Sequence, residues 1–107
     1  MLGITFKENC PDVRNSKVVD VVRELEKVGA KVDVHDPWAD SAETLHEYGI
    51  QLKRRLLPGT YDAIIMAVPH EAFSKMGVKA VRKLGRKKHV LYDVKHVFRN
   101  EETDGRL

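Results

Sequence analysis

The sequence predicts an α/β fold: a three-layer α/β/α sandwich around a mostly parallel sheet of about five strands. Three observations carry that prediction. Apolar runs of four to eight residues alternate with stretches whose apolar residues recur at helical spacing. The connections between them are short, so consecutive strands linked through a helix must run parallel. The run "DAIIMAVP" (Asp62 to Pro69) is apolar almost throughout, as a strand covered on both faces should be.

The first element is "MLGITF", read as a buried strand, followed by a loop crowded with Lys7, Glu8, Asp12 and Arg14. In "SKVVDVVRELEKVGA", Val18, Val21, Val22, Leu25 and Val28 form one apolar stripe. Ser16 is the expected N-cap and Gly29 the expected stop. "KVDVHDP" alternates Val32 and Val34 with polar residues and reads as a second strand ending at Asp36-Pro37. "DSAETLHEYG" opens on Asp40 with Glu43 three residues later, a capping-box pattern, and closes on Gly49. "IQL" is a short strand candidate and "PGTYD" a turn ahead of the central strand. "HEAFSKMGVKAVRKLG" holds one or two short helices broken near Gly77, and "HVLYDV" is the last strand. Residues 1–97 are expected to form the domain, and 98–107 a polar, frayed tail.

With 107 residues, 42% apolar and 33% charged, the chain suits one soluble core rather than a disordered or membrane-spanning chain. No apolar run approaches the roughly 20 residues needed to cross a bilayer. The expected location is cytoplasmic. A lone Cys10 makes no internal disulfide and builds no zinc site by itself. Much of the basic excess behind the net charge of +3 lies in "KRR" (Lys53 to Arg55) and "RKLGRKKH" (Arg82 to His89). It is not interleaved with aromatics, so a solvated face is expected there rather than nucleic-acid binding.

In doubly wound sheets, ligands bind outside the carboxyl ends of the strands. The residues just past those ends are Lys7 to Arg14, Asp36 to Trp38, Pro69-His70 and Asp93 to His96. Lys7, Arg14, His70 and Lys95 make three of the four ends basic or titratable. Converging cations near a helix N-terminus suit an anion, most naturally phosphate. The alternative is that Lys7 pairs with Glu8 or Asp12 and Arg14 with a carboxylate. The dinucleotide fingerprint G-x-G-x-x-G is absent, since Gly3 is the only glycine before Gly29. Asp36 stands where a ribose-binding acid would, but reads as a turn residue ahead of Pro37. Cys10 shows no clear activation and reads as an incidental loop residue. His35, His46 and His89 read as ordinary surface histidines.

The stretch "GITFKENCPDVRNS", with "VDVHDPWAD", "YDAIIMAV" and "YDVK" in order behind it, resembles the C-terminal domain of the UDP-glucose/GDP-mannose dehydrogenase family. "FKENCPDVRNSKVVD", "DVHDPW" and "HEYG" look most like the branch acting on UDP-N-acetylgalactosamine or UDP-N-acetylglucosamine. The resemblance covers about residues 2 to 97 and implies a Rossmann-like, UDP-sugar-binding domain. It implies substrate contacts from Phe6, Lys7 and Lys95, contact of Arg14 with NAD held on another domain, and a loop-orienting role for Asp12. Lys95 stands where glucose-oxidising relatives often carry Arg, which removes the option of a bidentate grip.

The implied parent is an NAD-dependent UDP-N-acetylhexosamine 6-dehydrogenase of polysaccharide biosynthesis. It would be a homodimer with an N-terminal NAD-binding domain, a central helical segment and a catalytic cysteine that Cys10 does not match. This chain would then be an inactive, monomeric fragment with UDP-sugar and the parent's other domains as partners, and with no nucleic-acid, membrane or metal role. The competing readings are a stand-alone interaction or regulatory domain on the same scaffold, and a small enzyme using Cys10.

Overall fold

The computed structural model describes all of residues 1–107. In chain order its elements are α1 (Val18–Lys27), α2 (Ser41–Tyr48), β1 (Tyr61–Met66), α3 (Glu71–Arg82) and β2 (Gly85–Asp93). A 3-10 turn (Asn100–Glu102) and a short strand β3 (Gly105–Arg106) complete it. The three strands form a parallel sheet in the order β1-β2-β3, with Ala63 opposite Val90 and Met66 opposite Asp93.

The sheet has three strands where about five were expected, and the reason is local. Residues 2 and 35 are present beside it but enter only through isolated parallel bridges, Leu2 to Met66 and Leu2 to His35. Gly3 interrupts the first segment with a φ of +95°. A Cβ there would lie 2.5 Å from the Val68 Cβ and 2.9 Å from the Val68 backbone nitrogen, so only glycine fits. The turn at Gly3 also cancels the period-two alternation of a strand. Leu2 and Ile4, two residues apart, therefore enter different apolar clusters. Just beyond, the Ile4 and Thr5 amides bond to the Asp36 carboxylate in place of a strand neighbour.

One cluster packs Leu2, Ile64, Met66 and Leu91 against Phe73 and Val81 of α3. The other packs Ile4, Val13 and Val34 against Val19 and Val22 of α1. Thus α1 buries a face shifted from the stripe its spacing predicted: Val22 is buried and Val18 and Leu25 half-buried, but Val21 and Val28 are exposed and Val19 takes the inward place, because the partners Ile4, Val13 and Val34 meet that side of the helix. Its cap differs: Lys17 occupies the N-cap without a side-chain bond, and the buried Ser16 hydroxyl donates to the Ile4 carbonyl at 2.5 Å. Gly29 follows the α1 cap with positive φ, and the Ala30 amide closes onto Leu25. Asp40 caps α2 by accepting the Glu43 amide, and Gly49 ends it in the left-handed conformation. Gly77 kinks α3, with φ 82° and ψ 156°.

Two further expectations are corrected. "IQL" forms no strand, although the Lys53 amide bonds to Val34 and Ile50 and Leu52 pack on the second cluster. The supposed frayed tail is built into the sheet. Arg82 donates to the Glu102 carbonyl at 3.0 Å and to the Asp104 carboxylate at 3.0 Å. Asp104 also accepts the Leu91 amide at 2.8 Å, which sets β3 beside β2. The Leu91 bond first, then Arg82, holds the Asp104 carboxyl below its ordinary range. No helix is long and apolar enough to cross a membrane.

Candidate functional site

The parallel arrangement puts four chain segments side by side, in the order residue 35, residue 2, β1, β2. Their carboxyl ends share one edge, and each leads into a loop tied down by a buried side chain. Asp36 is the larger anchor. Its Oδ2 accepts the Ile4 amide at 2.7 Å, the Thr5 amide at 3.1 Å and the His70 Nε2 at 2.9 Å. Its Oδ1 accepts the Trp38 and Ala39 amides at 2.8 and 3.0 Å. Burial pushes the Asp36 pKa up, but the bonds from His70, Ile4 and Trp38 outweigh it and hold the carboxyl below its usual range.

Asp93 anchors the other end. It is fully buried at the last position of β2 and accepts the Val97 and Phe98 amides at 3.0 and 2.8 Å. The turn between carries exposed Lys95 and His96, the latter with positive φ. The Val94 amide bonds to the Met66 carbonyl, so this turn starts beside the end of β1.

Lys7 sits in the loop after Thr5. Thr5 Oγ1 donates to the Lys7 carbonyl at 2.9 Å, and the Phe6 amide reaches the Asp12 carbonyl at 2.7 Å, closing the loop on itself. The side chains of Phe6, Lys7 and Glu8 are left exposed, Phe6 at 60%. Neither Lys7 nor Lys95 takes part in any of the ion pairs of the fold. The self-pairing alternative for Lys7 therefore does not occur. The Leu2 segment and β2 flank β1, so their ends lie about two strand spacings apart, roughly 10 Å.

Arg14 does pair with a carboxylate. Its Nε and an Nη meet the two Asp12 oxygens at 3.0 and 3.3 Å. The bond from Arg14 lowers the Asp12 pKa, and the same bond raises that of Arg14. Both lie at the exposed end of the loop, beside an open cleft lined by Pro11, Asp40 and Glu43. Asp12 thus orients the arginine, with its main chain closing the loop. Trp38 is 45% exposed and Cys10 half-buried.

His70 needs a correction. Placed by sequence among the cations facing a ligand, it is in fact wholly buried, with both ring nitrogens bonded inside the protein. Asp36 needs another. It is no mere turn residue but the hub of five hydrogen bonds, which leaves it unable to bind a ribose. Sequence reasoning missed the Asp36–His70 pair because 34 residues separate the partners. The available signal was that both residues sit at strand ends next to a proline. Of the other histidines, His35 bonds the Lys53 carbonyl and His89 lies between Arg82 and the Arg86 carbonyl, while His46 is exposed.

A groove of about 560 Å³ lies at the opposite, amino edge of the sheet, lined by Leu25, Val32, Tyr61, Ala63 and Ile65 among others. Its polar groups are Lys31, Thr60 and two engaged carboxylates, Asp62 paired with Arg86 and Asp33 accepting the Tyr61 hydroxyl, and it takes in no loop from a carboxyl strand end. The carboxyl edge, with its exposed lysines on anchored loops, is the better-equipped surface for a ligand.

A parallel α/β module with a basic carboxyl-end rim is the class of nucleotide-binding protein these features define. Residues 1–100 match the UDP-glucose/GDP-mannose dehydrogenase family, UDP binding domain, and the chain belongs to that family. It is 50% identical over its whole length to UDP-N-acetyl-D-glucosamine 6-dehydrogenase of Pseudomonas aeruginosa. It is 34% identical over 97% of its length to Protein CapL of Staphylococcus aureus. The chain spans about a quarter of these relatives, 25% and 24%. Its fold matches that of UDP-D-ManNAc dehydrogenase from Pyrococcus horikoshii with a TM-score of 0.74 at 19% identity, covering 98% of this chain and 23% of that one.

Proposed function

We propose that this domain holds the UDP part of a nucleotide sugar along its carboxyl-end rim, Lys7 and Lys95 meeting the diphosphate and Phe6 the uridine side. The observation that carries this reading is the pair of exposed, unpaired lysines on loops fixed by buried Asp36 and Asp93. Each ammonium is presented without a protein counter-charge, so binding an anion breaks no existing ion pair. The parent is an NAD-dependent UDP-N-acetylhexosamine 6-dehydrogenase, in which residues 1–97 form one wall of the active site and oxidation takes the C6 alcohol to a carboxylate. The similarity to the Pseudomonas enzyme supports the hexosamine assignment.

The residues here do not suit a dinucleotide held by this chain alone. The glycine-rich turn is absent, and Asp36 has its oxygens engaged by backbone amides and His70. NAD therefore belongs to another part of the parent, with Arg14 the one group reaching toward it. By itself the domain binds without oxidising, as a cytoplasmic monomer.

The test is a titration of the 107-residue chain with UDP, followed by backbone amide shifts. Shifts should cluster at residues 6–9 and 94–98. Lys7→Ala and Lys95→Ala should each weaken binding about tenfold or more, the lower end of the value of one charge-assisted contact. Shifts elsewhere, or none, would remove the assignment.

A further inference from the structure

Outside the exposed lysines, one buried group is used by none of the chemistry above. His70 is the residue before α3, and its backbone carbonyl accepts the Phe73 amide at 3.0 Å. Its side chain does not cap that helix. It turns instead under the loop that carries Lys7, its ring tilted against Phe73 with centroids 5.5 Å apart.

Nδ1 lies 2.9 Å from the Asn9 amide, which has a hydrogen to give, so Nδ1 is an acceptor and carries no proton. The ring proton is therefore on Nε2, pointing to Asp36 Oδ2 at 2.9 Å with Thr5 Oγ1 at 3.2 Å. That leaves the Thr5 hydroxyl hydrogen free to donate to the Lys7 carbonyl. Asn9 is gripped twice, since its Oδ1 also accepts the Glu71 amide at 3.0 Å. In this way Asn9 supplies the helix cap that His70 leaves unmade. It does so from the left-handed conformation, φ 54°, which an asparagine tolerates better than most residues.

We infer that His70 is a positioning residue for the ligand: by accepting the Asn9 amide it fixes the loop of residues 6–9, and with it the lysine that meets the diphosphate. This inference rests on the proposed UDP site. The imidazole works as a two-ended spacer, with Asp36 and the sheet on one side and the binding loop on the other. A loop so held loses little freedom when ligand arrives, which favours binding.

Two substitutions separate the ends of the ring. An asparagine amide reaches about as far as Nδ1, and a glutamine amide about as far as Nε2. His70→Asn keeps an acceptor for Asn9 but abandons Asp36, while His70→Gln keeps the Asp36 bond but abandons Asn9. The positioning role predicts an inversion between stability and affinity. His70→Gln should remain the more stable of the two, yet its Asn9 amide should exchange with solvent about tenfold faster than in the wild type, and UDP should bind about tenfold more weakly. His70→Asn should melt earlier but bind UDP nearly as the wild type does at a temperature where it is folded.

Affinity that merely follows stability, or wild-type exchange at Asn9 in His70→Gln, would overturn the inference. Should His70→Asn fail to fold, His70→Gln decides alone, because it preserves the buried pair. Should the wild type show no response to UDP, the site assignment falls, while Asn9 exchange still decides whether His70 holds the loop.

Discussion

Replacing Asp36 by asparagine probes the node on which the rim depends. The carboxylate serves five donors, three on Oδ2 and two on Oδ1. An amide of the same shape has one oxygen. It would turn that oxygen toward Ile4, Thr5 and His70, all essentially buried, and set its NH2 against the more exposed Trp38 and Ala39 amides. Two bonds are then lost outright and three fall from charge-assisted to neutral strength. At about 0.5–1.5 kcal/mol for a neutral bond and 1.5–3 for a charged one, the three weakened bonds alone cost about 3 kcal/mol, and with water rescuing only part of the loss at residues 38 and 39 the change costs at least that much. That is a large part of the roughly 5–15 kcal/mol that holds a small domain together.

Urea unfolding followed by circular dichroism would measure it as a lower midpoint at unchanged slope. The acid dependence gives a second reading. A carboxyl whose pKa is lower folded than unfolded stabilises the fold fully above its ordinary value of 3.8, and that contribution is lost as pH falls through the folded value. The gap between wild type and Asp36→Asn should therefore be widest near neutrality and shrink below pH 3.8. A loss under about 1 kcal/mol at pH 7, or a gap that grows on acidification, would refute the hub assignment.

Further outcomes follow from other contacts. Gly3→Ala meets Val68 backbone at 2.9 Å and an unfavourable φ together, so unfolding free energy should fall by about 3 kcal/mol or more, read by the same urea titration. Asp104→Ala removes the bonds to the Leu91 amide and Arg82 at a half-exposed position and should cost about 1 kcal/mol. Its signature should be faster amide exchange confined to β3 and residue 91. Arg14→Ala breaks only an exposed pair with Asp12, so melting should be unchanged within error and UDP binding by the domain unaffected.

What was legible in the sequence was what neighbouring residues decide among themselves. The Asp40 cap, the Gly49 stop and the break at Gly77 all rest on partners within a few positions. The misread features had distant partners. Ser16 looked like a cap, but Ile4, a dozen residues earlier, takes its hydroxyl. The tail looked idle because Arg82 and Leu91, which seat Asp104, lie far upstream. His70 was singled out correctly as a strand-end residue and then pointed the wrong way, since spacing alone does not tell a ring that faces a ligand from one that holds the loop beneath it. Lys7, Lys95 and Arg14 were read as following the carboxyl ends of the strands by a general rule of parallel sheets, and all three are exposed in loops after those segments.

The opening residues carry a consequence for how the chain assembles. Leu2 rests among side chains from residues 64 to 91, whereas Ile4 rests among side chains from residues 13 to 34. A growing polypeptide thus makes one of these neighbourhoods early and must leave Leu2 waiting until the later half has been synthesised. Completion of the native structure becomes a late, long-range stitch, and a half-length product ending before Tyr61 would show a bare apolar seam to chaperones and proteases.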